Sequence, residues 1–130
     1  MHGRLNPPTL APPLGAYSHG VAVAAGLRWV FVSGQLGIAP DGVLGDGAEA
    51  QAELAWSNVV GVLAAGGMTT ADLVKVTTFV VDRDLIPAVR AARQRHLPGP
   101  EFPASTFLVV AGLARPEFLV EIEAVAARAA

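Results

Sequence analysis

The sequence predicts an α+β fold: one domain over residues 1–130, in the order β-β-α-β-α-β-β, with two helices on one face of a sheet. Three observations lead there. Two segments, 46–66 and 85–97, repeat apolar residues at steps of three and four and stop at glycine or proline. Five shorter runs are β-branched and aromatic, and they are separated by turn residues or by these helical segments. The composition is 52% hydrophobic and only 15% charged, which is apolar for a chain of this size unless both faces of its sheet are covered.

Each element has a local reason. Residues 1–16 form most of an extended lead-in punctuated by Pro7, Pro8, Pro12 and Pro13. "VAVAAG" and "RWVFVSG" read as a hairpin turning at Gly26. "APDGVLGDG" is turn chemistry. Asp46, with Glu49 three residues on, is spaced as a capping box for the first helix. Ala48, Ala52, Ala55, Val59, Val62 and Leu63 make its apolar face, and Gly66 and Gly67 end it. "LVKVTTFVVD" is a strand with Val74, Val76, Thr78 and Val80 on one face. Its other face turns apolar at Phe79 and Val81, as in a strand covered on two sides. The second helix is capped by Asp84 and carries Pro87 in its first turn. Ile86, Val89, Ala92 and His96 form its inner stripe, leaving Arg90, Arg93 and Arg95 off it. Two strands close the chain, about 105–112 and 118–126. The second sheet face is apolar too, with no segment left to cover it, so an oligomer that buries sheet against sheet is expected.

Several function classes are disfavoured. The net charge is −2 and Lys75 is the sole lysine, so a broad phosphate-binding surface is not expected and nucleic acid is an unlikely partner on composition. There is no cysteine, hence no disulfide framework or thiolate chemistry. No apolar run approaches a membrane span, and the proline-rich opening lacks the apolar region of a signal peptide, so a cytoplasmic protein is expected. His2, His19 and His96 lack zinc-ligand spacing, and no nucleophile elbow, dinucleotide fingerprint or phosphate loop is present.

Four places carry candidate chemistry. In "FLVEIEAVAA", Glu121 and Glu123 share a face opposite Val120, Ile122 and Ala124. Two carboxylates there belong either to a solvent-facing side or to a pocket, where one accepts a hydrogen bond or serves as base for a water. Tyr17, the only tyrosine, is either an amphipathic anchor or a rigid ring over a ligand. Ser33, Gly34 and Gln35 stand where a strand ends, as a bulge or as a place where a ligand nears the backbone. Ser105 and Thr106 stand at the mouth of the next strand, in "FPAST".

As a set, "GAYSHGV" (15–21), "FVSGQLGIAPDG" (31–42), "NVVGVLAAGG" (58–67), "DLVKVTTFVVD" (72–82), "FPAST" (102–106) and "LVEIEAVA" (119–126) resemble the RidA family, also called YjgF or endoribonuclease L-PSP-like. The resemblance implies a chorismate-mutase-like fold and a homotrimer with sheets packed at its centre. It also implies a small-molecule cleft at each subunit interface and hydrolysis of reactive imines to 2-keto acids and ammonia, with no metal or organic cofactor. Tyr17, Ser33, Gly34 and Glu121 match the family's cleft residues. The family's deaminases read Pro-Ala-Arg-Ser or Pro-Ala-Arg-Thr at the strand mouth, and that arginine grips the substrate carboxylate as a bidentate fork. Here Ser105 occupies its place. A hydroxyl supplies no fork, and the loss weakens carboxylate binding by at least about tenfold. The family's "vNevY" in the second helix reads "VRAAR" here, with Arg90 near the asparagine. The leading expectation is therefore a divergent member whose cleft takes a small neutral or weakly polar ligand on Tyr17, Ser105 and Glu121. The alternatives are a working imine deaminase in which Arg90 or Arg93 holds the carboxylate, and an RNA-linked role against which the acidic, lysine-poor composition argues.

Overall fold

The computed structural model describes residues 2–130. β1 (Gly3–Leu5) and β2 (Gly20–Ala22) pair as a small antiparallel ladder, Gly3 opposite Ala22 and Leu5 opposite Gly20. This corrects the expected hairpin: β2 pairs back onto the lead-in rather than forward onto the next strand. Gly3–Leu5 precedes the prolines and keeps its backbone donors, so it can serve as a ladder partner where the proline segment cannot.

The main sheet contains β3 (Arg28–Leu36), β4 (Leu73–Val80), β5 (Ala104–Val109) and β6 (Val120–Arg128), in the order β3-β6-β4-β5. Only β4 and β5 are parallel, and the helix α2 (Ile86–His96) makes the crossover a parallel pair needs. α1 (Ala48–Ala65) connects β3 to β4. Both helices lie on one sheet face. Trp56, Val59 and Leu63 of α1 join Val89 and Ala92 of α2 and Val76, Val80 and Ile122 of the sheet in one buried cluster. Each such side chain contributes on the order of 1.5–3 kcal/mol by leaving water.

Both helix starts differ from expectation, while α1 ends at Gly66 and Gly67 as expected. Gly47 takes the N-cap position of α1 and no side chain caps it, so Asp46 does not. Its C-terminus closes as a Schellman motif, in which Met68 N–H donates to Leu63 O at 2.8 Å and Gly67 N–H to Ala64 O at 2.9 Å. Gly67, at φ 72°, takes the left-handed turn, and Gly66 does not. Before α2, Asp82 rather than Asp84 is the cap: its carboxylate accepts from Asp84 N–H at 2.8 Å and starts a 3-10 turn over Arg83–Leu85. In β4 a bulge between Leu73 and Lys75 turns Leu73 into the core, so Val74 leaves the face of Val76, Thr78 and Val80.

The face away from the helices carries Trp29, Phe31, Lys75, Phe79, Thr106, Leu108, Glu121 and Glu123, by strand alternation and register. Phe31 is 75% exposed, Trp29 44% and Leu108 43%. Among the described residues, no helix is long and apolar enough to cross a membrane.

Candidate functional site

A cleft of about 550 Å³ opens between the lead-in, α2 and the start of β5. Its geometry begins with Ser18. Ser18 N–H donates to Pro103 O at 3.0 Å and Ser18 Oγ donates to Phe102 O at 2.7 Å, tying the lead-in to the β5 entrance. The preceding residues, Leu14 to Tyr17, then form one wall. Leu14 N–H donates to Tyr17 Oη at 3.1 Å, and the Tyr17 ring meets His19 edge-on at 5.9 Å. Tyr17 thus lines the cleft as a half-buried ring whose hydroxyl is anchored locally.

Ser105 lies opposite Val76 in the parallel register, so it points to the helix side and into this cleft. Thr106 points the other way and accepts a hydrogen bond from Lys75 Nζ at 2.7 Å. The two hydroxyls of "FPAST" therefore serve opposite faces.

Arg93 corrects the sequence reading. It was expected off the inner stripe, yet it is only 8% exposed. Its Nη1 donates to Ser105 Oγ at 2.8 Å and its Nη2 to Ala16 O at 2.9 Å. Its Nε is buried with no partner among the described residues. Burial, and after it the nearby Arg90 charge, pulls the Arg93 guanidinium below its usual range. The sequence did contain a signal: Arg93 follows Val89 by four and Ile86 by seven, which is the spacing of the inner stripe itself. Arg90 also lines the cleft, exposed, with its guanidinium carbon 5.9 Å from the Phe107 ring centroid.

The other expected site residues lie elsewhere. Ser33 and Gly34 fall in a bulge of β3, between Val32 and Gln35, on the sheet face turned away from the helices. Gln35 Nε2 closes the bulge by donating to Ser33 O at 3.0 Å. The close approach that Gly34 permits is made by the chain itself: a Cβ there would overlap Glu121 Oε2 and sit 2.7 Å from Glu121 Cδ. Glu121 is half-buried and Glu123 exposed. Within one protomer, then, Tyr17, Arg90, Arg93 and Ser105 converge, while Ser33, Gly34 and Glu121 form a second group outside that cleft. Among the described residues no three histidine, aspartate or glutamate side chains cluster as metal ligands.

A mixed sheet with two helices on one face, and a cleft where the lead-in meets the crossover helix, define a class of α+β proteins. The Endoribonuclease L-PSP family profile matches residues 8–128. The chain belongs to that family, the RidA/YjgF family. The 2-iminobutanoate/2-iminopropanoate deaminase of Salmonella typhimurium is 32% identical over 118 residues, 88% of this chain and 89% of the relative. The crystal structure of the Yersinia pestis protein YyfB, of the conserved Rid family, superposes with a TM-score of 0.86 at 33% identity, covering 96% of this chain and 97% of that one. Escherichia coli TdcF, crystallised with bound serine, matches with a TM-score of 0.72 at 29% identity over 90% of this chain and 91% of its own.

Proposed function

We propose that this chain is a homotrimeric hydrolase of small 2-imino acids in which Arg93 holds the substrate carboxylate. One observation carries the reading: the buried Arg93 guanidinium lies against Ser105 Oγ at 2.8 Å. A planar fork therefore stands one hydrogen bond from the position where the family's deaminases carry their arginine, delivered from α2 instead of β5. Ser105 Oγ and Ala16 O engage one N–H each of Nη1 and Nη2, and with Nε buried two N–H donors are left for a ligand. The Tyr17 ring bounds the bound substrate on one side.

In the proposed reaction a water adds to the imine carbon and gives up a proton to a carboxylate. The carboxylate passes that proton to the imine nitrogen, giving the carbinolamine. The carbinolamine hydroxyl then gives up its proton, the nitrogen takes it and leaves as ammonia as the carbon–nitrogen bond breaks, and the carbon–oxygen double bond of the 2-keto acid forms. Glu121 is the proposed base. It lies outside its own protomer's cleft, so a neighbouring subunit has to bring it to the site. The exposed Phe31, Trp29 and Leu108 beside it support packing through that face. The deaminase named among the relatives supports the reaction, and serine bound to TdcF supports an amino-acid-sized ligand. The reading needs no metal or organic cofactor and no nucleic-acid partner, and it is set in the cytoplasm.

The same hydrogen bonds support a second reading. Arg93 would then be a strut between α2, β5 and the lead-in, and the cleft would take a neutral or weakly polar ligand. Keto-acid release from 2-iminobutanoate generated in situ separates the two. On the first reading the wild type turns over and Arg93→Gln loses at least about a hundredfold in kcat/KM, since two charge-assisted hydrogen bonds contribute roughly 1.5–3 kcal/mol each. An inactive wild type that gains activity on Ser105→Arg supports the second reading.

A further inference from the structure

Among the described residues neither arginine of the cleft has a carboxylate within 4 Å, as is also true of Arg28, Arg83 and Arg115. Arg4, Arg95 and Arg128 each have a carboxylate oxygen within 4 Å among the described residues, from Glu101, from Glu49 and Glu53, and from Asp72. Arg93 is bound only to a hydroxyl and a backbone carbonyl, and Arg90 faces the Phe107 ring. Among the described residues of one protomer no aspartate or glutamate lines the cleft, so the proposed Glu121 of a neighbouring subunit would be a single carboxylate beside two guanidinium groups. Two cations of one sign in a partly desolvated space repel each other and are each short of a counter-charge. The remaining walls are neutral, including Phe102, Phe107 and Leu97.

We propose that the cleft is built for a dianion: a 2-imino dicarboxylic acid of four or five carbons, the imine of an acidic amino acid. This rests on the role given above to Arg93, which takes the carboxylate next to the imine. Arg90 takes the second carboxylate nearer the cleft mouth. The two arginines are three residues apart on α2, where side chains share a face and their Cβ atoms are about 5–6 Å apart. Two carboxylates separated by two or three carbons span such a gap. Arg93 is deep and held by two hydrogen bonds, whereas Arg90 is exposed over the Phe107 ring and able to turn to the distal group. The deep site therefore orders the reacting end, and the outer site selects by charge.

Titration calorimetry with stable 2-keto acids tests this, because the keto acids carry the same carboxylates as the imines. At low ionic strength, 2-oxoglutarate and oxaloacetate are expected to bind about tenfold or more tightly than 2-oxobutanoate, a difference of about 1.4 kcal/mol. Arg90→Gln should bring dicarboxylate affinity down to the level of 2-oxobutanoate, and Arg90→Lys should retain part of the preference. Arg93→Gln should weaken all three. Equal affinity for mono- and dicarboxylates, or a preference that survives Arg90→Gln, overturns the dianion inference while leaving the imine-hydrolase reading intact. If no keto acid binds the wild type and no imine is turned over, both fail together.

Discussion

Gly34→Ala probes how the β3 bulge and the candidate base are linked. A methyl at position 34 would overlap Glu121 Oε2, and would lie 2.7 Å from Glu121 Cδ and 3.0 Å from Cγ. The obstruction is the end of a flexible side chain, so the fold can yield by turning Glu121 away. Forcing that side chain off its preferred rotamer costs about 0.5–1.5 kcal/mol. Replacing a strand glycine with alanine returns about 0.5–1 kcal/mol of chain entropy. The two nearly cancel, so the thermal midpoint should move by only a few degrees. The carboxylate, however, has to shift by an ångström or more to regain contact distance, and misplacement on that scale costs roughly a hundredfold in rate. The assay is kcat/KM for keto-acid release, measured in wild type, Gly34→Ala, Glu121→Gln and the double variant. If Gly34 acts through Glu121, adding Gly34→Ala to Glu121→Gln costs little further. Full activity in Gly34→Ala, or additive losses in the double variant, would refute the reasoning.

Two further outcomes follow from other parts of the molecule. Phe31→Asp places a charge on the outer sheet face at a residue 75% exposed in the protomer, so the protomer fold should change by no more than about 0.5 kcal/mol, while light scattering should report the proposed trimer for the wild type and monomers for the variant. Glu53 accepts from His96 Nε2 at 2.5 Å and from Arg95, which hold its carboxyl below the ordinary carboxylate value and tie α1 to α2. A depressed folded-state pKa stabilises above the unfolded value and is lost as pH falls through the folded one. The midpoint difference between wild type and Glu53→Gln, measured by thermal unfolding, should therefore be full near pH 6 and shrink as pH falls below 4.5.

Much of the site was legible because it depends on short-range rules. Strand alternation alone puts Glu121 and Glu123 opposite Val120 and Ile122, and the buried pattern of β6 follows it. Helix spacing alone places Val89 and Ala92 inward. Arg93 points inward, as its spacing from Val89 allows, against the expectation that it lies off the stripe. What overrides the charge is a set of acceptors 12 and 77 residues away in sequence, Ser105 Oγ and Ala16 O. No local pattern announces partners at such separations.

By itself, the sequence determined the order of the two helices and of the strands around them but not the Gly3–Leu5 strand of the lead-in, and it determined the apolar stripes and the exposed sheet face, since periodicity and composition act within a few residues. Tertiary structure alone decided that β2 pairs with the lead-in, that Gly34 makes room for Glu121, and that a guanidinium from α2 stands beside the serine of β5. Each of these is a contact between distant segments, and such contacts are set by which surfaces meet when the chain closes, not by the residues on either side of them in sequence.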